Sequence, residues 1–147
     1  MRAQGVSTAC SASVAEQLNP QDGLYSVTAR GGGTSATRIV GAVREVLFAP
    51  QDPEAVVARI ASPDCRIVSF TVTEKGYARA GDGSLDIAAA EHSFYPLLAE
   101  GLAQRKAAEL PGITLLSCDN LAENGQQLTR LMREWLAAKD PALIDWF

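Results

Sequence analysis

The spacing of apolar and polar residues predicts alternating helices and strands in the second part of the chain. Apolar residues recur at helical spacing in segments 53–60, 94–109 and 126–138, and short apolar runs at 66–72 and 113–117 indicate strands. Both runs carry apolar residues on both faces of the strand, which is typical of a parallel sheet covered by helices. The second part of the chain is therefore expected to fold as an α/β structure.

The first part of the chain shows a different pattern, with β-branched residues concentrated in segments 23–28 and 38–47. These two segments flank Gly31-Gly32-Gly33 and predict a β-hairpin. A phosphate-binding loop is the alternative interpretation of the glycine run. Such a loop precedes a helix, whose N-terminal N–H groups hold the anion, whereas a strand is expected here. A hairpin loop is therefore favoured.

Both strands of the second part end in polar residues, at 73–75 and at 118–120. Ligands of parallel α/β sheets bind at the carboxyl ends of the strands, which favours a binding site here. Helix capping is the alternative, because aspartate and asparagine often cap helices and one could start near Asn124. We expect the two strands to be parallel neighbours, with Glu74 and Asn120 at the same edge of the sheet.

Composition and charge narrow the range of possible partners and locations. The chain has 147 residues, of which 47% are hydrophobic and 20% charged, as expected for one folded domain. Its net charge of -4, without a clustered basic stripe, argues against nucleic acid as a partner. No apolar run reaches the roughly 18 residues of a membrane span, and the N-terminus lacks the apolar core of a secretory signal. A cytoplasmic protein with a small-molecule ligand and no membrane partner is expected.

The cysteines and the single histidine offer little catalytic chemistry. Cys10, Cys65 and Cys118 are widely separated, so neither a disulfide framework nor a metal site is expected. They are predicted to be reduced thiols in or near the core. His92 has no nucleophile turn to accompany it and is predicted to lie on the surface near a helix start.

Four ordered segments resemble one enzyme family. They read "QDGLYSV" (21–27), "IVGAVREVL" (39–47), "TVTEKGY" (71–77) and "LLSCDNLAENG" (115–125). Their order and spacing are similar to those of the long-chain polyol dehydrogenases, the mannitol dehydrogenase and fructuronate reductase family. The resemblance implies an α/β fold with a partial Rossmann-like parallel sheet, flanking helices and an inserted β-hairpin. It also implies an NAD-dependent oxidoreductase of a polyol or sugar acid.

The resemblance further implies roles for individual residues. Asn120 is expected to be catalytic, donating a hydrogen bond to the reacting oxygen of the substrate. The cofactor pocket is expected to include Ser7, Val72, Thr73, Glu74 and Asp119. The strand end at residues 5–10 carries no carboxylate for the ribose hydroxyls, so the choice of NAD rests on the resemblance alone.

Two features of the family are missing from this sequence: the glycine-rich pyrophosphate loop and the catalytic lysine with its following asparagine and histidine. Residues 1–147 are therefore expected to be an incomplete N-terminal dinucleotide-binding domain whose partner, a C-terminal catalytic domain of the same chain, is absent. Alone, this piece is expected to be inactive and to bind NAD weakly or not at all. The alternative function is a non-catalytic α/β domain that binds a nucleotide or a protein partner.

Overall fold

The computed structural model describes the backbone of residues 3–7 and all atoms of residues 12–147. Within it the chain divides into two compact units, residues 1–56 and 57–147. Cys10, and the residues after Ser7 that were considered for ribose binding, lie outside the described part.

The described residues form strands and helices that are interspersed along the sequence. The strands are β1 (Ala3–Ser7), β2 (Tyr25–Gly31), β3 (Thr34–Val40), β4 (Val43–Phe48), β5 (Ile67–Phe70) and β6 (Thr114–Ser117). The helices are α1 (Ser13–Leu18), α2 (Pro53–Ala61), α3 (Thr73–Gly76), α4 (Ile87–Ala90), α5 (Tyr95–Ala107) and α6 (Asn124–Lys139). Short 3₁₀ turns follow α1 at Asn19–Gln21 and α6 at Pro141–Leu143.

The first unit contains the predicted hairpin. Strands β2 and β3 pair in antiparallel fashion, from Tyr25 opposite Val40 to Gly31 opposite Thr34. Gly32 and Gly33 form the connecting turn with φ values of 54° and 77°, which only glycine adopts without steric cost. The glycine run is therefore a hairpin loop, as the sequence predicted.

The single strand predicted over residues 38–47 was wrong, because the backbone changes partner at Gly41. Strand β3 ends at Val40, and β4 begins at Val43 and pairs in parallel with β1. Asn19 fixes β4 by donating to the Val46 carbonyl at 2.9 Å and accepting from the Val46 N–H at 2.8 Å. These pairings join distant parts of the sequence, so local periodicity did not reveal them.

The second unit is built on a parallel strand pair. Strands β5 and β6 run side by side in register, from Ile67 beside Thr114 to Phe70 beside Ser117. The predicted parallel pairing of these strands is thus confirmed. Each strand alternates between an exposed and an inward-facing side, and Ile67 and Leu116 remain 56% and 48% exposed.

The bounds of α2, α5 and α6 agree with the sequence prediction to within about two residues, whereas α1, α3 and α4 were not predicted. The N-terminus of α2 is capped by Asp52, whose carboxylate accepts the Ala55 N–H at 3.0 Å. Helix α6 buries the predicted apolar face, namely Leu128, Leu131, Met132 and Trp135, together with Leu136.

An aromatic cluster fills the core of the second unit. Phe94 lies 4.8 Å from Phe70, 4.3 Å from Tyr95 and 6.3 Å from Tyr77 between ring centroids. Tyr95 also approaches Trp135 at 5.9 Å, and its hydroxyl donates to the Tyr77 carbonyl at 3.1 Å. Aromatic pairs at these separations contribute beyond their buried area, so the cluster ties α5 and α6 to the segment after β5.

Segment 78–91, between α3 and α5, has local order that the sequence did not predict. Arg79 and Leu85 form an isolated antiparallel β-bridge, and α4 follows with Asp86 as its N-cap. Helix α6 holds this segment, since Glu134 accepts the Leu85 N–H at 2.7 Å and Arg130 donates to the Gly83 carbonyl at 2.7 Å. Contacts with a helix about 50 residues later supply this order, which is why the local sequence did not predict it.

The cysteines and the histidine occupy different environments. Cys65 is free and partly buried, as expected, but Cys118 is free and exposed, so the prediction that it lies near the core was wrong. Cys118 directly follows Ser117, the last inward-facing residue of β6, and therefore points the other way. His92 is exposed just before α5, as predicted. No helix in the described part of the chain is long and apolar enough to cross a membrane.

A Gly101→Ala substitution is expected to destabilise the second unit by about 1–3 kcal/mol, because overpacking forces neighbouring atoms to move. An added Cβ at Gly101 would lie 2.5 Å from Ile60 Cγ2 and 2.6 Å from Ile60 Cβ. Urea unfolding of the two proteins would measure the difference. Gly112→Ala is the control, since an added Cβ there meets no atom within 4 Å. Equal stability of Gly101→Ala and the wild type would contradict the close packing of α5 on α2.

Candidate functional site

The carboxyl ends of β5 and β6 lie together and carry the predicted polar residues. The Cys118 N–H donates to the Phe70 carbonyl at 2.8 Å, which extends the strand pairing by one step. Beyond it, α3 begins at Thr73 after β5, and Asp119 and Asn120 follow β6. Five of the six predicted site residues are therefore gathered at one edge, namely Val72, Thr73, Glu74, Asp119 and Asn120. The placement of Glu74 and Asn120 at the same edge is confirmed.

Ser7, the sixth predicted residue, belongs to the first unit. Its backbone ends β1 beside Phe48 of β4. Its side chain lies outside the described part of the chain.

The Asp119 carboxylate joins the two strand ends directly. Its oxygens accept the Val72 N–H at 3.2 Å, the Thr73 N–H at 3.0 Å and the Tyr77 hydroxyl at 3.0 Å. A carboxylate suits three converging donors because it offers only acceptors. Asp119 was predicted as a cofactor residue, and the structure shows that its carboxylate is hydrogen-bonded to other residues of the chain.

These hydrogen bonds set the charge state of Asp119. Burial acts to raise the pKa of the Asp119 carboxyl, but the donors from Val72, Thr73 and Tyr77 outweigh it and hold the pKa below its usual value. Asp119 is therefore ionised at neutral pH and remains a full acceptor for all three groups.

The stabilisation by Asp119 is expected to be lost in acid. Because the folded state lowers the carboxyl pKa, the contribution is complete above the unfolded value of about 3.9 and disappears as pH falls through the lower folded value. Urea unfolding of the wild type and Asp119→Asn between pH 7 and pH 2.5 would measure this. The stability difference between the two proteins should be constant down to about pH 4 and shrink below it. A difference that stays constant throughout would show that the carboxylate charge is not involved.

Thr73 adopts an unusual backbone conformation at this edge. Its φ is 61°, in the left-handed region, which is rare for a β-branched residue and costs on the order of 1–3 kcal/mol. The Asp119 carboxylate holds the Thr73 N–H in this conformation. Gly76 allows the turn to close, since a Cβ there would lie 2.8 Å from Val72 Cβ. The sequence "TVTEKGY" is thus suited to a tight, strained turn.

Tyr77 and Ser117 are site residues that the sequence did not identify. Tyr77 is fully buried and Ser117 nearly so, and their hydroxyl oxygens are 2.6 Å apart. Burial raises the pKa of Tyr77, which therefore stays protonated and can donate to Asp119. The sequence offered only their positions as a signal. Tyr77 is the last residue of the segment "TVTEKGY", and Ser117 directly precedes Cys118 in the segment "LLSCDNLAENG".

Asn120 is exposed and its side-chain amide forms no hydrogen bond to another described residue. Neither Asn120 nor Asp119 caps α6, whose N-cap is Glu123 at a φ of 52° without a side-chain hydrogen bond. Instead, the Asn124 amide donates to the carbonyls of Ser117 at 3.2 Å and Asp119 at 2.9 Å. The capping alternative for these two residues is thus not supported, and the Asn120 amide is available to a ligand.

The described side chains at this edge offer hydrogen bonding and charge to a ligand. The side chain of Glu74 and the amide of Asn120 are exposed there. Among the residues that the structure describes, no group of three or more histidine, cysteine or acidic side chains is placed to hold a metal ion. The edge can therefore present an amide donor and a carboxylate to a ligand with hydroxyl groups.

The sequence matches known proteins over most of its length. Residues 4–147 match the family model described as the mannitol dehydrogenase Rossmann domain. A mannitol 2-dehydrogenase of Pyricularia oryzae is 35% identical over 92% of this chain and 30% of its own length. A polyol:NADP oxidoreductase of Gluconobacter oxydans is 37% identical over 90% of this chain and 30% of its own length. The chain thus spans about a third of the length of these relatives.

Solved structures show the same fold. A D-sorbitol dehydrogenase in substrate-free form superposes with a TM-score of 0.88 and 34% identity, over 97% of this chain and 33% of the other. The mannitol 2-dehydrogenase of Pseudomonas fluorescens, in a ternary complex with NAD and D-mannitol, gives 0.85 and 29% identity, over 97% and 32%. The predicted α/β, Rossmann-like fold class is therefore confirmed. The chain belongs to the mannitol dehydrogenase family and corresponds to that family's Rossmann domain.

Proposed function

We propose that this chain is the cofactor domain of an NAD-dependent dehydrogenase that interconverts a polyol and the corresponding ketose. The observation that carries the proposal is the exposed amide of Asn120, which lies at the end of β6 beside the turn that bears Glu74. Family membership supports the reaction class. Residues 1–147 are proposed to be an incomplete N-terminal domain, with the catalytic domain in a C-terminal part of the same gene product.

The residues at the strand ends fit a dinucleotide cofactor. In Rossmann folds such a cofactor lies across the carboxyl ends of the parallel strands, where the backbone of Val72 and Thr73 and the exposed carboxylate of Glu74 would line its pocket. Asp119 would contribute through the backbone it holds, since its carboxylate already accepts three donors. Ser7, at the end of β1 in the first unit, remains a proposed cofactor residue.

Asn120 is proposed to act on the substrate. NAD, when bound, would supply the hydride acceptor for the polyol carbon that carries the reacting hydroxyl. That oxygen gains negative charge as its proton leaves, and the Asn120 amide would donate a hydrogen bond to it. A donor oriented in advance lowers the barrier because no solvent has to reorganise around the new charge. The base that takes the hydroxyl proton is proposed to lie in the catalytic domain.

The identity of the substrate and the choice between NAD and NADP are further proposals. The Pseudomonas fluorescens relative was solved with NAD and D-mannitol, whereas the Gluconobacter oxydans relative is named for NADP. We propose NAD, with mannitol as the first substrate to test and arabinitol and mannonate as alternatives. A cytoplasmic location also remains a prediction, which cell fractionation would test.

The test is a dehydrogenase assay of the full-length gene product with mannitol, arabinitol and mannonate, each with NAD and with NADP. Turnover with NAD and at least one of these substrates is the expected result. Tight NAD binding without turnover on any of them would instead favour the non-catalytic nucleotide-binding alternative. Calorimetric titration of residues 1–147 alone should show weak NAD binding or none, and no turnover; micromolar binding would contradict that prediction.

A further inference from the structure

We propose that Asp119, assisted by Tyr77, is a positioning residue that orients Asn120 against the turn of residues 72–76. The inference rests on the proposed function of Asn120 as the donor to the substrate oxygen. It assigns to Asp119 a role through its neighbours rather than through contact with cofactor or substrate.

The first argument is the geometry of the carboxylate. One oxygen accepts the Val72 N–H and the Tyr77 hydroxyl, and the other accepts the Thr73 N–H. An asparagine amide at position 119 would turn an NH₂ group towards at least one of these donors. The three bonds together therefore require an ionised carboxylate rather than any polar side chain of similar size.

The second argument is the strained turn that the carboxylate holds. Thr73 has a φ of 61°, which a β-branched residue rarely adopts without support. Its N–H is bonded to Asp119, 46 positions later in the sequence. The turn carries Glu74, so the conformation of this side of the site depends on a residue from the other strand end.

The third argument concerns Asn120 itself. Its side chain has no hydrogen-bond partner among the described residues, so the backbone before it sets its position. That backbone is fixed at Asp119, through the carboxylate on one side and through the Asn124 amide on the carbonyl at 2.9 Å on the other. Tyr77 anchors the carboxylate to the core, because its buried hydroxyl also meets Ser117.

Kinetics of the full-length gene product test the inference. Asp119→Asn is expected to lower kcat about 10- to 100-fold, with the KM for the polyol changed about threefold at most, because a small misplacement of a reacting group can cost about a hundredfold. Tyr77→Phe should give a smaller loss of the same kind, since two of the three donors to Asp119 remain. Asp52→Ala is the matched control: among the described residues its carboxylate bonds only the Ala55 N–H at the start of α2, so its loss should lower Tm but leave kcat unchanged.

A second readout does not depend on activity. Trypsin should cleave after Lys75, within the turn, faster in Asp119→Asn than in the wild type or in Asp52→Ala. Wild-type protein without polyol dehydrogenase turnover would overturn the proposed function, and equal cleavage of all three proteins would overturn the inference about Asp119. Faster cleavage with an unchanged kcat would also overturn it, because Asp119 would then hold the turn without affecting the reaction.

Discussion

Replacing Asn120 by alanine in the full-length gene product is expected to lower kcat by about 10²–10³, equivalent to about 3–4 kcal/mol of lost transition-state stabilisation. The substitution removes the exposed amide at the end of β6 and leaves the Asp119 carboxylate and its three donors in place. The dissociation constant for NAD should change about threefold at most, because the amide acts on charge that develops only during hydride transfer. Steady-state kinetics and a cofactor titration measure the two quantities.

Asn19→Ala is the matched control for this prediction. Asn19 is also an asparagine, but both ends of its amide are bonded to the backbone of Val46. Its loss should lower Tm and leave kcat unchanged, because it removes structural hydrogen bonds only. An unchanged kcat in Asn120→Ala together with a raised NAD dissociation constant would instead show that Asn120 contacts the cofactor and takes no part in the chemistry.

The largest loss of stability is expected for Arg105→Ala. Arg105 is 1% exposed, yet its guanidinium carries a charge that burial strongly disfavours. It is satisfied by backbone carbonyls: Pro111 accepts from Nε at 3.1 Å and from Nη2 at 2.9 Å, and Nη1 donates to Ile60 at 3.0 Å and to Ser62 at 2.6 Å. One side chain thus links the C-terminus of α2 to the segment that leads into β6.

Removing it leaves three carbonyl groups without their donors, each worth about 1–3 kcal/mol when buried, and we expect a total loss of about 3–5 kcal/mol. Urea unfolding would measure it. Arg105→Lys should recover only part of the loss, because one ammonium group cannot reproduce the forked geometry. The control is Arg130→Ala, which removes two exposed contacts, the ion pair with Glu134 and the hydrogen bond to the Gly83 carbonyl, and should cost about 1–2 kcal/mol in total. Equal losses in Arg105→Ala and Arg130→Ala would contradict this account of the buried guanidinium.

The sequence by itself determined the type and order of the long elements. The hydrophobic stripe of α6 and the apolar runs of β5 and β6 depend on local spacing, and the structure confirms them. Gly32 and Gly33 identified the hairpin turn because few other residues adopt its backbone conformation. The polar residues after each strand identified the edge that carries the candidate site, since parallel strands bring their carboxyl ends to one edge.

Only the tertiary structure decided how those polar residues are used. It separated β4 from β3, because the partner of β4 is β1, some 40 positions earlier in the chain. It also turned the Asp119 carboxylate towards Val72, Thr73 and Tyr77 and left the amide of Asn120 exposed. Adjacent polar residues thus differ in their hydrogen bonding and exposure. The difference arises from donors 42 to 47 positions away, which folding brings within hydrogen-bond distance and which no local pattern encodes.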